Sequence, residues 1–312
     1  MTEPIIQTHQ LTKQYGDFTA VNQLELSINE GEIVGFLGPN GAGKTTTLLM
    51  LMGLSVPTSG TARVGGYDVV EESKQVRQIA GMMPEGSGYY EDLTARQNLR
   101  YIGQLNEIPK DELEKRIDEL LAAVNLSKWA DSKVEKFSRG MKQRLGISEV
   151  LIKKPKIAFF DEPTLGLDPK ATKELRDILL RLNKEQGLTI FLSSHLLHEV
   201  QQTCQRVLII RRGKLVASDT ISNLSSSLAD KKSGNLEFEL TKIDSDLIRK
   251  LNNIKGVTSV EQQNHKLFVN MENGNYREVS KTITEHGSII LLMRPKTFSL
   301  EEIFLDFYQE DN

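Results

Sequence analysis

The chain has 312 residues, 38% of them hydrophobic and 26% charged, with a formal net charge of −3. That length exceeds most single domains and predicts a main domain with a smaller appendix. No segment reaches the roughly 18 consecutive apolar residues of a membrane span, which excludes a channel or carrier acting alone, and the interleaved, near-balanced charge argues against a nucleic-acid-binding surface. Met1-Thr2-Glu3-Pro4 has neither the basic start nor the apolar run of a secretory signal, so the chain is expected inside the cell. A lone Cys204 rules out an internal disulfide framework and a zinc cluster and reads as a helix-face residue. Lys153-Lys154 and Arg211-Arg212 read as solvated edges.

Ile5 to Gln10 and Leu24 to Ile28 predict short strands, the second alternating Leu24, Leu26 and Ile28 against polar neighbours. Ile33 to Leu37 is a continuous apolar run, as in a strand buried on both faces. It leads into Gly38-Pro39-Asn40-Gly41-Ala42-Gly43-Lys44-Thr45, and Lys44 to Met52 then has helical composition, closing at Gly53. From about Tyr90 to Val150 the pattern turns helical. It starts with a capping-box spacing at Thr94-Ala95-Arg96-Gln97 and continues through the amphipathic run Lys110 to Val124, so an inserted helical lobe is expected over about residues 90–152. Strand character returns at Ile157 to Phe160 and Thr189 to Leu192, with a helix over Lys170 to Gln186 between them, which implies α/β layering with parallel strands.

Ser222 to Asp230, small and polar, reads as punctuation, with a domain boundary between residues 224 and 225. Beyond it a small α+β domain is expected over 225–312. Leu236 to Leu240, Lys266 to Met271 and Ser288 to Met293 predict strands, Ser245 to Asn252 and Tyr276 to Glu285 helices, and Asn273-Gly274-Asn275 a turn. A last helix starts at Ser299 with Glu302 three residues on; its stripe of Leu300, Ile303, Phe304, Phe307 and Tyr308 reads as docking on its own domain.

The order strand, glycine loop, helix points to a phosphate-binding loop. Glycines let the backbone wrap with its amides inward, where they and the helix N-terminus hold phosphate oxygens. Lys44 adds charge at the β- and γ-phosphates, and the Thr45 hydroxyl suits Mg²⁺. Ile157 to Phe160 then deliver two acids at a strand end: Asp161, suited to hold Mg²⁺ or its water, and Glu162, suited to polarise an attacking water. A GTPase needs Asn-Lys-x-Asp to read guanine; Asn183-Lys184-Glu185-Gln186 ends in glutamine on a helical pattern, so that reading fails.

Phe137-Ser138-Arg139-Gly140-Met141-Lys142-Gln143-Arg144 precedes the acids, and Gly166-Leu167-Asp168 and Ser194-His195 follow them. In this order the motifs resemble the ATP-binding subunit of ABC transporters over about residues 4–220. The resemblance implies a phosphate-loop NTPase cassette over 1–224, with a RecA-like core, an antiparallel β portion and an inserted helical lobe. It implies that Tyr15, in Lys13-Gln14-Tyr15-Gly16, stacks on adenine, and that Gly38, Pro39, Asn40, Gly41, Ala42, Gly43, Lys44, Thr45 and Thr46 hold the phosphates. Ser138 and Gly140 would contact the γ-phosphate of a nucleotide held by the opposite subunit, with Asp168 at that seam. Lys44, Glu162 and His195 would be catalytic, His195 ordering the attacking water. ATP and Mg²⁺ are the implied cofactors. The implied partners are a second cassette, identical or paralogous, and a separate multi-helix permease that holds the chain on the cytoplasmic face of the membrane; no nucleic acid is expected.

This chain departs from the family where Arg139 replaces a glycine and Met141 a glutamine. In Met83-Pro84-Glu85, Glu85 stands where the family has glutamine in the loop that senses Mg²⁺ and faces the membrane subunit. An added acid there either binds the metal or shifts the coupling. Ser299-Leu300-Glu301-Glu302-Ile303-Phe304 is similar to the ending of an exporter-type branch that works with separate six-helix membrane subunits. The alternative is a cassette regulator of chromosomes or ribosomes. The chromosome type needs a long coiled coil between phosphate loop and signature, and the ribosome type generally carries two cassettes in one chain.

Overall fold

The apolar runs at Ile33 and Ile157 decide the layout, because a strand buried on both faces needs a layer above and a layer below it. The computed structural model describes residues 4–86, 88–231, 236–271, 276–295 and 300–309. The chain divides into two units, Met1–Asp219 and Thr220–Asn312.

In the first unit β1 (Ile6–Tyr15) and β2 (Phe18–Ile28) form a hairpin, and β3 (Ile33–Leu37) is buried throughout. After α1 (Lys44–Leu51) come β4 (Ser59–Val64), β5 (Tyr67–Asp68), α2 (Ser73–Ile79) and β6 (Ala80–Met83). The helical lobe holds α3 (Ala95–Leu105), α4 (Lys110–Ala123) and α5 (Arg139–Leu151). The unit closes with β7 (Ile157–Asp161), α6 (Pro169–Gln186), β8 (Thr189–Ser194), α7 (Leu197–Thr203), β9 (Arg206–Arg211) and β10 (Lys214–Asp219). An antiparallel sheet runs β2-β1-β4-β5, and a larger sheet runs β10-β9-β3-β8-β7-β6. In the larger sheet β9, β3, β8, β7 and β6 are mutually parallel, and β10 is antiparallel at the edge.

One core joins the two sheets across α1. Leu11, Val21 and Leu24 come from the hairpin, Phe36, Phe159 and Phe191 from the parallel strands, and Leu48 and Leu51 from the helix. The lobe is fixed by polar links, the first of which its sequence predicts. Thr94 accepts from the Gln97 amide at 3.2 Å while the Gln97 side chain accepts from the Thr94 amide at 2.8 Å, completing the capping box. Arg100 forks onto Glu114 of α4 at 2.5 and 2.8 Å.

Cys204 lies just past α7 in extended backbone, not on a helix face, and is packed under Gly35, where any Cβ would sit 3.0 Å from its sulfur. Burial pushes the thiol up to about 12, so it is inert. Lys153 is also no solvated edge: it is half-buried and donates to the Arg77 carbonyl.

The second unit begins ahead of the polar stretch Ser222 to Asp230, which lies within a helix, α8 (Ile221–Lys231), in place of a linker. β11 (Leu236–Leu240), α9 (Ser245–Asn252), β12 (Val257–Gln263), β13 (Lys266–Met271), α10 (Tyr276–Glu285) and β14 (Ile290–Pro295) follow. The strands form an antiparallel sheet, β12-β13-β11-β14. Phe238, Leu267 and Val269 on one face pack with Leu247, Leu251, Val279 and Ile283 of α9 and α10. Leu300 and Ile303 of α11 (Leu300–Gln309) are fully buried, and α11 packs with α8. The expected turn at 273–275, the expected start at Ser299 and the side chains of Phe307 and Tyr308 lie outside the described residues.

Candidate active site

Three neighbouring parallel strands end side by side. In register, Leu37 of β3 lies beside Ser194 of β8, and Ser193 beside Asp161 of β7. The carboxyl ends of such strands are where open α/β sheets bind ligands. β3 runs into the glycine loop, β7 into Glu162 and β8 into His195.

The loop depends on glycine at Gly43, which has φ 106°; a Cβ there would sit 2.4 Å from the Ala20 carbonyl oxygen. Gly43 also caps α1 without a side chain, so the first amides of that helix stay free for an anion. Lys44 is buried, and its Nζ donates to the Gly38 carbonyl at 2.7 Å and the Pro39 carbonyl at 3.3 Å.

The same ammonium lies 3.1 Å from Glu162 Oε1, with both side chains 6% exposed. That oxygen accepts no directed hydrogen bond, so charge alone ties it to Lys44. The other oxygen, Oε2, is 3.0 Å from His195 Nδ1. The backbone of Glu162 is left-handed, with φ 49°, a conformation costing a non-glycine residue about 1 kcal/mol or more. Its amide holds the turn by donating to the Ser193 carbonyl at 3.1 Å. Asp161, 1% exposed, accepts from the Thr45 hydroxyl at 2.6 Å through Oδ2 and from the Ser193 hydroxyl through Oδ1.

A cavity of about 290 Å³ opens on this cluster, lined by Phe18, Ala20, Pro39, Asn40, Gly41, Gly43, Lys44, Thr45, Thr46, Glu85 and Glu162. Buried around its base are two acids, Asp161 and Glu162, and one cation, Lys44. The surplus negative charge and the Thr45–Asp161 oxygen pair fit a divalent cation arriving with phosphates. Mg²⁺ takes one or two carboxylates plus phosphate oxygens and water, not a full protein cage. Consistently, no group of three or more His, Cys, Asp or Glu among the described residues could hold a metal alone. Glu85 is exposed and lines the cavity.

The remaining predicted residues lie apart. Ser138 caps α5, accepting from the Met141 amide at 3.3 Å, and is exposed. Asp168 caps α6, accepting from the Ala171 amide at 2.9 Å. Gly140 packs close to Ala171, and Arg139 lies over Gly166, where a Cβ would meet its guanidinium at 2.4 Å. None of Ser138, Gly140 and Asp168 lines the cavity. Tyr15 does not line it either; Lys13 Nζ sits 5.0 Å from its ring centre. The aromatic at the cavity is Phe18, 61% exposed and paired with Tyr15 across the hairpin. Sequence reasoning passed over it, although an aromatic directly after the Gly16-Asp17 turn was a usable signal.

Residues 21–165 match the family described as ABC transporter. Over 301 residues, 96% of each chain, the protein is 37% identical to the bacitracin transport ATP-binding protein BcrA of Bacillus licheniformis. The chain belongs to the ABC transporter ATP-binding subunits. The cassette is also 33% identical, over 308 residues and 97% of each chain, to the linearmycin resistance ATP-binding protein LnrL of Bacillus subtilis (strain 168). Among solved structures it is similar to a dimeric ATP-binding cassette in a post-hydrolysis state with ADP and Pi. The TM-score is 0.62 at 26% identity, covering 69% of this chain and 98% of that one. The cassette binds ATP and hydrolyses it as the ATP-binding subunit of a transporter.

Proposed function

We propose that two copies of this cassette, or one copy and a paralogue, close around two Mg·ATP and drive a separate membrane permease that exports a bulky antibiotic-like cargo. The observation that carries this is the half-built site. Lys44 and Glu162 line the cavity and His195 reaches Glu162, while among the described residues no hydrogen bond joins Ser138 or Gly140 to the phosphate loop. A second subunit supplies the missing half: its Ser138 and Gly140 cap the γ-phosphate held by the first, with Asp168 at the seam and Tyr15 or Phe18 against adenine. The cargo class follows the bacitracin and linearmycin relatives, and the cassette sits on the cytoplasmic face of the membrane through its permease.

In this reading the γ-phosphate takes over Lys44 Nζ from Glu162. The freed carboxylate then accepts the proton of a water oriented by His195 as that water bonds to phosphorus and the bond to ADP breaks. Thr45 and Asp161 would hold Mg²⁺, which would supply positive charge against the phosphates, and Glu85, which lines the same cavity, would be a further oxygen donor.

Hydrolysis removes the γ-phosphate and with it the contact that joins the subunits, so closure and opening follow from a difference in binding. The test is sedimentation of Glu162→Gln with and without ATP. An ATP-dependent dimer is expected; a variant that stays monomeric at saturating ATP overturns the two-subunit site.

A further inference from the structure

β8 is apolar from Ile190 to Leu192 and then buries two serines in a row, Ser193 and Ser194, with no exposed surface on either. A buried hydroxyl is costly without a partner, so each must bond to something. Successive strand residues face opposite sides of a sheet, and the two serines divide accordingly. Ser194 serves the chain around it: its Oγ accepts from the Leu196 amide at 3.0 Å, and its carbonyl accepts from the Gly38 amide at 3.3 Å. Ser193 stands in register beside Asp161 of β7 and reaches both residues of the acid pair. Its Oγ donates to Asp161 Oδ1 and accepts from the Glu162 amide at 3.3 Å, an amide that also donates to the Ser193 carbonyl at 3.1 Å.

The two oxygens of Asp161 thereby have different duties. Ser193 holds Oδ1 within the sheet, while Oδ2 meets the hydroxyl of Thr45, a residue that lines the cavity, at 2.6 Å. A carboxyl group turns readily about its last torsion, and a bond at each oxygen stops that turn. Among the described residues no other group bonds Oδ1, so loss of the Ser193 hydroxyl leaves a buried carboxylate oxygen unbonded and the group free to turn.

Resting on the reading above that Thr45 and Asp161 hold Mg²⁺, we propose that Ser193 is a positioning residue for the metal site, its hydroxyl fixing Asp161 so that Oδ2 is presented to the cation that arrives with ATP. The effect is confined to Asp161. Without the hydroxyl, the Glu162 amide keeps its bond to the Ser193 carbonyl, so the turn that carries Glu162 to His195 stays closed while Asp161 is released. ATP bound without metal rests on the glycine loop and Lys44, to which no bond from the Ser193 side chain runs among the described residues. The signature is a loss of metal-dependent affinity with metal-free affinity intact.

The experiment titrates a fluorescent, non-hydrolysable ATP analogue onto the full chain in EDTA and again at saturating Mg²⁺, and takes the ratio of the two affinities. Wild type is expected to bind more tightly with Mg²⁺. Ser193→Ala should lower that ratio about tenfold and leave the EDTA affinity unchanged. Ser193→Thr keeps the hydroxyl and should hold the wild-type ratio, whereas Ser193→Val, equal to it in shape, should fall with Ser193→Ala. Thermal unfolding in EDTA reads the fold separately, and a variant that is only less stable keeps the wild-type ratio. An unchanged ratio in Ser193→Ala, an equal ratio in the Thr and Val variants, or a matching loss of affinity in EDTA would overturn the proposal. Asp161→Asn tests the reading beneath it. If wild type gains nothing from Mg²⁺, or Asp161→Asn keeps the full gain, the metal reading itself fails; a gain lost in Asp161→Asn and kept in Ser193→Ala removes the role of Ser193 alone.

Discussion

Glu162 and Glu237 are equally hidden acids, 5% and 3% exposed, in the first and second units, and their partners differ. Glu237 on β11 takes both arms of Arg294 from β14 at 3.0 and 3.1 Å, and Lys266 of β13 at 2.7 Å. Arg294 lies directly across the strand pair, the geometry in which opposite charges help a sheet most. The Arg294 hydrogen bond, with help from Lys266, holds the Glu237 carboxyl below the usual range. Glu162 instead has one ammonium without a directed bond and one imidazole. A saturated acid is part of the framework. An undersaturated one can exchange partners, and exchange is what a reacting phosphate requires.

Breaking the two acids should therefore give opposite phenotypes. Glu162→Gln is expected to lower ATP turnover by about 10²–10⁴-fold while keeping nucleotide affinity, read by single-turnover assay and titration. A loss of stability without loss of turnover would erase the contrast.

Glu237→Gln should cost about 2 kcal/mol of stability in denaturant titration with turnover per folded molecule unchanged. The sign with pH is fixed by its lowered carboxyl. The stabilisation is present above the unfolded value near 4.5 and is lost as pH falls through the folded one, so wild type and variant should converge in acid. The smallest effect is for Lys266→Met, about 1 kcal/mol, since Lys266 is 43% exposed and Arg294 remains on Glu237. A larger loss there than in Glu237→Gln would mean that the strand pairing, not the charge, is what matters.

The active-site strands were readable because β3 and β7 are unbroken apolar runs delivering charged residues at their ends, and β8 reads as strand over Thr189 to Leu192. Their spacing along the chain says nothing of adjacency; the pairing β3-β8-β7 does that. β12, Val-Thr-Ser-Val-Glu-Gln-Gln, went unread because no residue of it is fully buried and its pattern is mostly polar. β4 was hidden likewise by Ser59-Gly60-Thr61 at its start, three exposed residues. Ser222 to Asp230 looked like a linker by composition, yet α8 forms there and packs with α11, tertiary contact outweighing weak propensity.

The left-handed backbone at Glu162 sets a limit on how this protein can be improved. Glycine would relax that turn, and a screen for heat resistance would favour it there. The same exchange removes the carboxylate to which the proposed mechanism gives the proton of the attacking water. A thermostable variant changed at position 162 should be expected to be an inert one, and a useful engineering effort would hold that codon fixed while searching the rest of the chain.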